Sequence, residues 1–192
     1  LFDGHQDDTG RVQENTDADQ QALEGVTMLT NIIIKGFKSY REQRLPLSPL
    51  TLMIGANASG KSNALEAFRF LCWLGQGQKL SVLRHRVDES EQILRGQIKD
   101  LPYHQGRSFT LGCETDDLDW NSLSVEIALR EDELHIVHES ISSPLQKFPL
   151  YRIEQSSSGL STDVRVAYNN FSTGGKKPQI TCTDQIAILN QL

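Results

Sequence analysis

The sequence predicts an α/β fold in which a strand, loop and helix unit is followed by an antiparallel β-rich lobe. Three observations predict it. An apolar stretch over residues 50–54 runs directly into Gly55-Ala56-Asn57-Ala58-Ser59-Gly60-Lys61-Ser62, and an apolar helical periodicity follows over 64–74. After Gly106 the pattern changes to alternation, in short stretches separated by polar turns. The net charge of −6 is confined to one end: residues 1–27 hold seven acids against Arg11 alone, leaving 18 acids and 18 bases over 28–192.

A length of 192 residues suits one domain, or a leader and one domain, with a core that needs no staples. The leader, 1–27, is polar, acidic and aperiodic, the composition of a solvated extension. Met28 opens the folded part, 28–192. Cys72, Cys113 and Cys182 are odd in number and widely spaced, which argues against a disulfide framework or thiolate metal site and for a cytoplasmic location. No apolar run has the length of a membrane span, so no membrane partner is expected. The neutral body lacks the basic excess of a dedicated DNA-binding domain.

Taken in order, residues 29–37 are β-branched and apolar and read as a buried strand, ended by Lys38-Ser39-Tyr40-Arg41. Pro46 and Pro49 make the next extended piece an edge or turn, which delivers the chain to a strand over 50–54. From Ser62 a helix carries Leu65, Phe68, Leu71 and Cys72 on one face, while Ala64, Ala67, Phe70 and Leu74 nearly complete the circle. A helix packed on most sides follows, with Gly75 and Gly77 at its end; the βα unit is 28–75. Residues 76–105 mix apolar pairs with charge and read as surface helices and loops. Stretches 108–114, 123–130, 134–142, 150–155 and 164–169 read as strands whose short connections imply antiparallel pairing. With an extended 179–183 they make a β-rich lobe over 106–183. A helix start is read over 184–192, through Ile186, Leu189 and Leu192, and its pattern breaks off as in a truncated chain.

Residues 55–62 fit the phosphate-loop pattern G-x-x-x-x-G-K-[ST] at every fixed position, in the strand and helix context it requires. A loop wrapped round a triphosphate must turn many N–H groups inward, and Gly55 and Gly60 are the permissive points for that. Lys61 can then reach the β- and γ-phosphates, and Ser62 can place its hydroxyl on Mg²⁺. The following helix adds its dipole. The fold class is therefore a P-loop NTPase that takes a nucleotide with Mg²⁺. No apolar strand ending in an acid follows Ser62, so hydrolysis has no visible machinery in this chain.

Residues 32–40 (Ile-Ile-Ile-Lys-Gly-Phe-Lys-Ser-Tyr), 50–63 and 66–71 resemble the N-terminal lobe of ABC-type ATPase heads of the SMC, RecF and RecN kind. They are similar in particular to prokaryotic AAA-family predicted ATPases related to the overcoming-lysogenisation-defect class. The resemblance implies that Lys38 and Ser39 meet the nucleotide, and that Gly55, Ala56, Asn57, Ala58, Ser59, Gly60, Lys61, Ser62 and Asn63 form its cradle. It implies an inserted β-lobe followed by a Q-loop glutamine on Mg²⁺, for which Gln185 is the candidate and Gln179 a competitor. The signature motif and second Walker acid have no counterpart, so the catalytic residues are unassigned and turnover is expected of an intact parent. Such a parent would dimerise, or form a higher homo-oligomer, through its heads around ATP. It would act on DNA or gate a nuclease or effector subunit, in genome maintenance or antiviral defence.

The rival readings are a nucleotide-sensing module without turnover, a P-loop kinase or GTPase, and a transporter ATPase. A guanine-reading N-K-x-D is absent, and Tyr40 fits poorly as a transporter's stacking residue. His135 and His138 lie three apart on a predicted strand and do not share a metal. Lys176 and Lys177 beside Gly174-Gly175 read as a solvated turn.

Overall fold

The computed structural model describes residues 27–84, 93–159, 161–172 and 174–192. The acidic leader, apart from Thr27, and part of the surface region 76–105 lie outside the described residues. The elements are β1 (Leu29–Phe37), β2 (Tyr40–Pro46), α1 (Lys61–Gly75), β3 (Ser108–Thr115), β4 (Ser122–Arg130), β5 (Glu133–Ser142), β6 (Tyr151–Gln155), β7 (Asp163–Tyr168) and β8 (Gln179–Thr183). Four short 3-10 turns punctuate them, at Leu80–Arg84, Ile98–Asp100, Tyr103–Gln105 and Ile188–Asn190.

The described strands form one sheet in the order β2-β1-β3-β4-β5-β6-β7-β8, with every neighbouring pair antiparallel. The expected strands after Gly106 are present, because alternating residues separated by short polar turns can pair only with their sequence neighbours. The β1–β2 hairpin turns through Lys38 and Ser39, with Phe37 opposite Tyr40 and Lys38 at φ 50°. It extends the same sheet as the later strands through β1 and β3. Helix α1 packs on this end of the sheet through Phe70, whose ring lies 6.1 Å from Phe109 and 5.8 Å from Trp73; Phe37 meets Phe109 at 5.2 Å. The three cysteines are free, and burial pushes the Cys113 thiol up to about 11.

Three expectations are corrected. Residues 50–54 are not a strand: they pair with no described strand, and Leu50, Leu52 and Ile54 are 77%, 74% and 92% exposed. An apolar run becomes a strand only where another backbone satisfies its N–H and C=O groups. Here the local bonds are a turn in which Ser48 N donates to Thr51 Oγ1 (3.0 Å) and Thr51 Oγ1 to Ser48 O (3.2 Å). Helix α1 is packed on one side only: Ala64, Glu66, Ala67, Phe70, Leu71, Trp73 and Leu74 are buried, whereas Leu65, Phe68 and Cys72 are exposed.

The third correction concerns residues 184–192, which form no α-helix. Asp184 is fully buried; its carboxylate accepts from Ser157 Oγ and pairs with His135 Nδ1 at 2.9 Å. Its backbone N–H donates to Thr162 O (2.7 Å), and Ile136 N–H donates to Asp184 O (3.0 Å). These contacts fix the segment against the sheet before a helical turn can start. The single 3-10 turn that follows is held by Glu139, whose Oε2 accepts from Ile188 N–H (2.8 Å) and Oε1 from Leu189 N–H (3.0 Å) and Tyr151 Oη (2.6 Å).

Burial pushes the Glu139 carboxyl above its ordinary value in spite of those three donors. A raised folded-state pKa means that the folded chain holds the proton more tightly than the unfolded chain. The contribution is therefore fully present below the ordinary carboxylate range and lost as pH rises through the raised value. Denaturant midpoints across that window should show wild type losing stability relative to Glu139→Gln as pH increases. A pH-independent difference between the two would refute the assignment.

Candidate functional site

The site is built where the loop over 55–60 meets α1. Gly60 precedes the helix at φ 93°, a conformation costly for residues with a Cβ, and no side chain caps the helix. Its first turn carries no acid. The N–H groups that a capping side chain would occupy are thus left for an anion, and the helix dipole favours one there. Gly55 is not left-handed; a Cβ there would come within 2.9 Å of Ser59 Oγ, a hydroxyl that can rotate away. The second left-handed position of the loop is Ala58, at φ 65°, which the spacing of the glycines did not indicate.

Lys61 folds back over the loop. Its Nζ donates to Gly55 O and Ala56 O, both at 2.6 Å, and to Ser59 Oγ at 3.2 Å. The backbone of the same loop closes with Ser59 N–H on Ala56 O (3.3 Å) and Ala64 N–H on Gly60 O (3.0 Å). Asn57 and Ser62 are exposed beside it. An exposed loop with a fixed ammonium, an open helix end and a free hydroxyl at Ser62 fits a phosphate group and its cation.

The β1–β2 turn braces this loop from behind. Tyr40 Oη donates to Gly60 O at 3.2 Å, and Asn63 Nδ2 donates to Ser39 Oγ at 2.9 Å. The Lys38 ammonium, whose side chain is only 11% exposed, is paired with the Glu66 carboxylate and also donates to Arg95 O at 2.8 Å. Arg95 Nε completes a second ion pair with Glu66, and Arg95 N–H donates to the same carboxylate at 3.3 Å. Burial alone would raise the Glu66 carboxyl, but the two cations outweigh it and hold it below its ordinary value.

Sequence reading missed the parts played by Glu66, Arg95 and Tyr40. The available signal was the helical period, which puts Glu66 one turn before Phe70 on the apolar face, where a lone carboxylate needs a cation. An open cleft beside the loop is lined by Lys38, Ser39, Asn63, Arg95, Lys99 and His104. Gln185 is placed on β5: its Nε2 donates to Leu134 O (3.1 Å) and Asp184 Oδ1 (3.0 Å) and lies 3.3 Å from His135 Nδ1. Gln179 Nε2 donates to Glu154 Oε2 at 2.5 Å. Among the described residues, no three His, Cys, Asp or Glu side chains converge to hold a metal, and no helix is long and apolar enough to cross a membrane.

Comparison with known proteins relates the chain to ATPases. A DNA replication and repair protein RecF from Lactococcus lactis subsp. cremoris is 37% identical over 71 residues, covering 29% of this chain and 20% of the relative. Structural maintenance of chromosomes protein 4 is 36% identical over 74 residues in both Xenopus laevis and Homo sapiens, covering 34% of this chain and 6% of either relative. The chain thus spans a minor part of the length of these relatives. A solved structure from work on ATP-driven dimerization and DNA-stimulated activation of SMC ATPases superposes on 60% of this chain and 69% of its own, with 20% identity and a TM-score of 0.40. The sequence profile of the AAA ATPase domain matches residues 28–174, from the start of β1 through the loop over 55–62 and most of the sheet. The chain belongs to the AAA ATPase domain family.

Proposed function

We propose that this chain is the Mg-ATP-binding lobe of an ATPase that works by closing two copies of the lobe around nucleotide. The observation that carries the reading is the uncapped, acid-free start of α1 behind a loop whose lysine is held in place by two carbonyls. Gly55 to Ser62 would hold the phosphates on backbone N–H groups. Lys61 would exchange Gly55 O and Ala56 O for phosphate oxygens, a favourable trade because bonds between two charged groups are stronger than those to neutral carbonyls. Ser62 would offer its hydroxyl to Mg²⁺, which supplies charge neutralisation between the β- and γ-phosphates. Ser39 and Asn63 would line the same site, and Lys38 would act as its brace through Glu66. Gln185 would offer Mg²⁺ its amide oxygen Oε1, since its Nε2 is engaged by Leu134 O and Asp184 Oδ1.

Turnover is assigned to the intact parent. Support comes from the apolar side chains that flank the loop in sequence, Leu50, Leu52 and Ile54 before it and Leu65 and Phe68 after it, which stand exposed as residues of an interface do. In the parent, closure of the heads would drive work on DNA or control a partner nuclease, in genome maintenance or antiviral defence. The replication and repair protein and the chromosome maintenance proteins among the relatives favour the DNA side of that reading.

Calorimetry tests the central step. The chain should bind ATP in the presence of Mg²⁺ and prefer it to GTP, and Lys61→Ala should weaken binding at least 100-fold, about 2.7 kcal/mol. A folded Lys61→Ala chain that binds ATP as tightly as wild type would sink the proposal.

A further inference from the structure

The connections β5–β6 and β7–β8 leave the same end of the antiparallel sheet and are bonded to each other. Asn169 N–H donates to Leu150 O at 2.8 Å, and Asn169 Nδ2 lies 3.4 Å from both Gln146 Oε1 and Phe148 O. Together, residues 143–152 and 169–178 hold four bases, Lys147, Arg152, Lys176 and Lys177, and no acid. Acids near this end are Asp116, Asp117 and Asp119 of the β3–β4 connection, where Asp116 and Asp117 accept from Met28 N–H and Thr27 Oγ1, and Glu154 of β6, which pairs with Arg152 at 3.1 Å.

Aromatic rings are interleaved with these cations. Phe148 lies between Arg152, whose Cζ is 4.8 Å from the ring centroid, and Lys177, whose Nζ is 5.7 Å away. Lys177 Nζ also donates to Asn169 Oδ1 and Ser172 O, both at 3.1 Å, and so fixes the base of the β7–β8 connection. On that base Phe171 stands 68% exposed at φ 57°, a left-handed conformation that an aromatic residue rarely adopts. Its N–H is anchored on Asn169 Oδ1 at 2.9 Å. Lys147 and Lys176 are exposed and, among the described residues, have no ion-pair partner.

The geometry points to a binding surface for single-stranded nucleic acid at this end of the sheet, with Phe171 as a stacking platform and Lys147 and Lys176 on the phosphates. An exposed ring on an anchored backbone beside exposed cations suits a polymer that alternates planar bases with charges. Phe171 is flanked by Asn170, Ser172 and glycines, so it lacks the apolar surroundings that would seat it in a lipid layer. An acidic peptide would leave the ring without a planar partner. The inference is independent of the phosphate loop.

Fluorescence anisotropy of a labelled 20-nucleotide oligo-dT, without ATP, tests it on the full chain. Phe171→Ala should weaken binding about ten-fold or more. Lys147→Gln with Lys176→Gln should weaken it and lower the slope of log K against log salt by about 1.4, the value for two lost phosphate contacts on a single strand. The distant Lys79→Gln should bind as wild type does. Because Lys147 and Lys176 are exposed, circular dichroism of that double variant should match wild type. The inference is overturned if oligo-dT does not bind, if Lys79→Gln loses as much as the double variant, or if Phe171→Ala has no effect. Tighter binding to phosphatidylserine vesicles or to a poly-glutamate peptide would overturn it equally.

Discussion

Glu66→Ala is expected to lower the folding free energy by about 3 kcal/mol and to weaken Mg-ATP binding, although Glu66 lies behind the loop. Removing one member of a buried ion pair leaves the other charge without compensation, at about 3–5 kcal/mol. Two cations share this carboxylate, and they respond differently. The Arg95 side chain is 59% exposed and can return to water. The Lys38 side chain is 11% exposed and keeps Arg95 O and the Phe37 ring 5.9 Å away, so most of the cost falls on it and the lower end of the range applies. Lys38 also opens the turn that carries Ser39 and Tyr40 to Asn63 and Gly60, which is why the binding site should loosen.

The double variant Lys38→Met with Glu66→Leu separates charge from packing. Replacing both partners by apolar side chains of similar volume should recover most of the stability. Denaturant midpoints at constant m-value are the readout. The sign of the pH dependence is also fixed. Because the Glu66 carboxyl is held below its ordinary value, its contribution is present above the ordinary carboxylate range and lost as pH falls through the depressed one. If Glu66→Ala costs less than about 1 kcal/mol, or the double variant is no more stable than Glu66→Ala, the brace has been misread.

Most of the sheet was legible because its determinants are local. Each strand from β3 to β7 alternates in sequence and is followed by a turn short enough to dictate antiparallel pairing with the next. The loop that enters α1 has determinants as local, since Gly60, Lys61 and Ser62 lie within one turn of each other. What failed depended on distant partners. Residues 50–54 have strand composition, yet composition supplies no neighbour to bond with. Ile186, Leu189 and Leu192 keep a helical spacing, but Asp184 is captured by His135 and Ser157, and Ile188 by Glu139, dozens of residues away. Leu65 and Phe68 show that periodicity reports where apolar residues lie on a helix, and not which side is covered.

Gly112→Ala should be the most damaging small substitution in the sheet, at about 3 kcal/mol. Gly112 lies in β3 opposite Ile33 of β1 and Ser124 of β4. A Cβ there would sit 2.4 Å from Leu123 O and 3.5 Å from Leu123 C and Ser124 Cα. These are backbone atoms of the adjacent strand, which cannot rotate away as a side chain would, so β3 and β4 must separate locally. Overpacking of a core commonly costs about 1–3 kcal/mol, and a rigid neighbour puts this site at the upper end. At about 2–4 °C per kcal/mol for a chain of this size, the melting temperature should fall by about 6–12 °C. Gly75→Ala is the control, because a Cβ there meets nothing within 4 Å, and it should shift the melting temperature little. Since Gly112 is remote in role from the loop, the folded fraction of Gly112→Ala measured well below its transition should bind Mg-ATP as wild type does. A variant that melts with wild type would show that β3 and β4 yield at this point; one that is folded but no longer binds ATP would show that their spacing sets the position of the β1–β2 turn behind the phosphate loop.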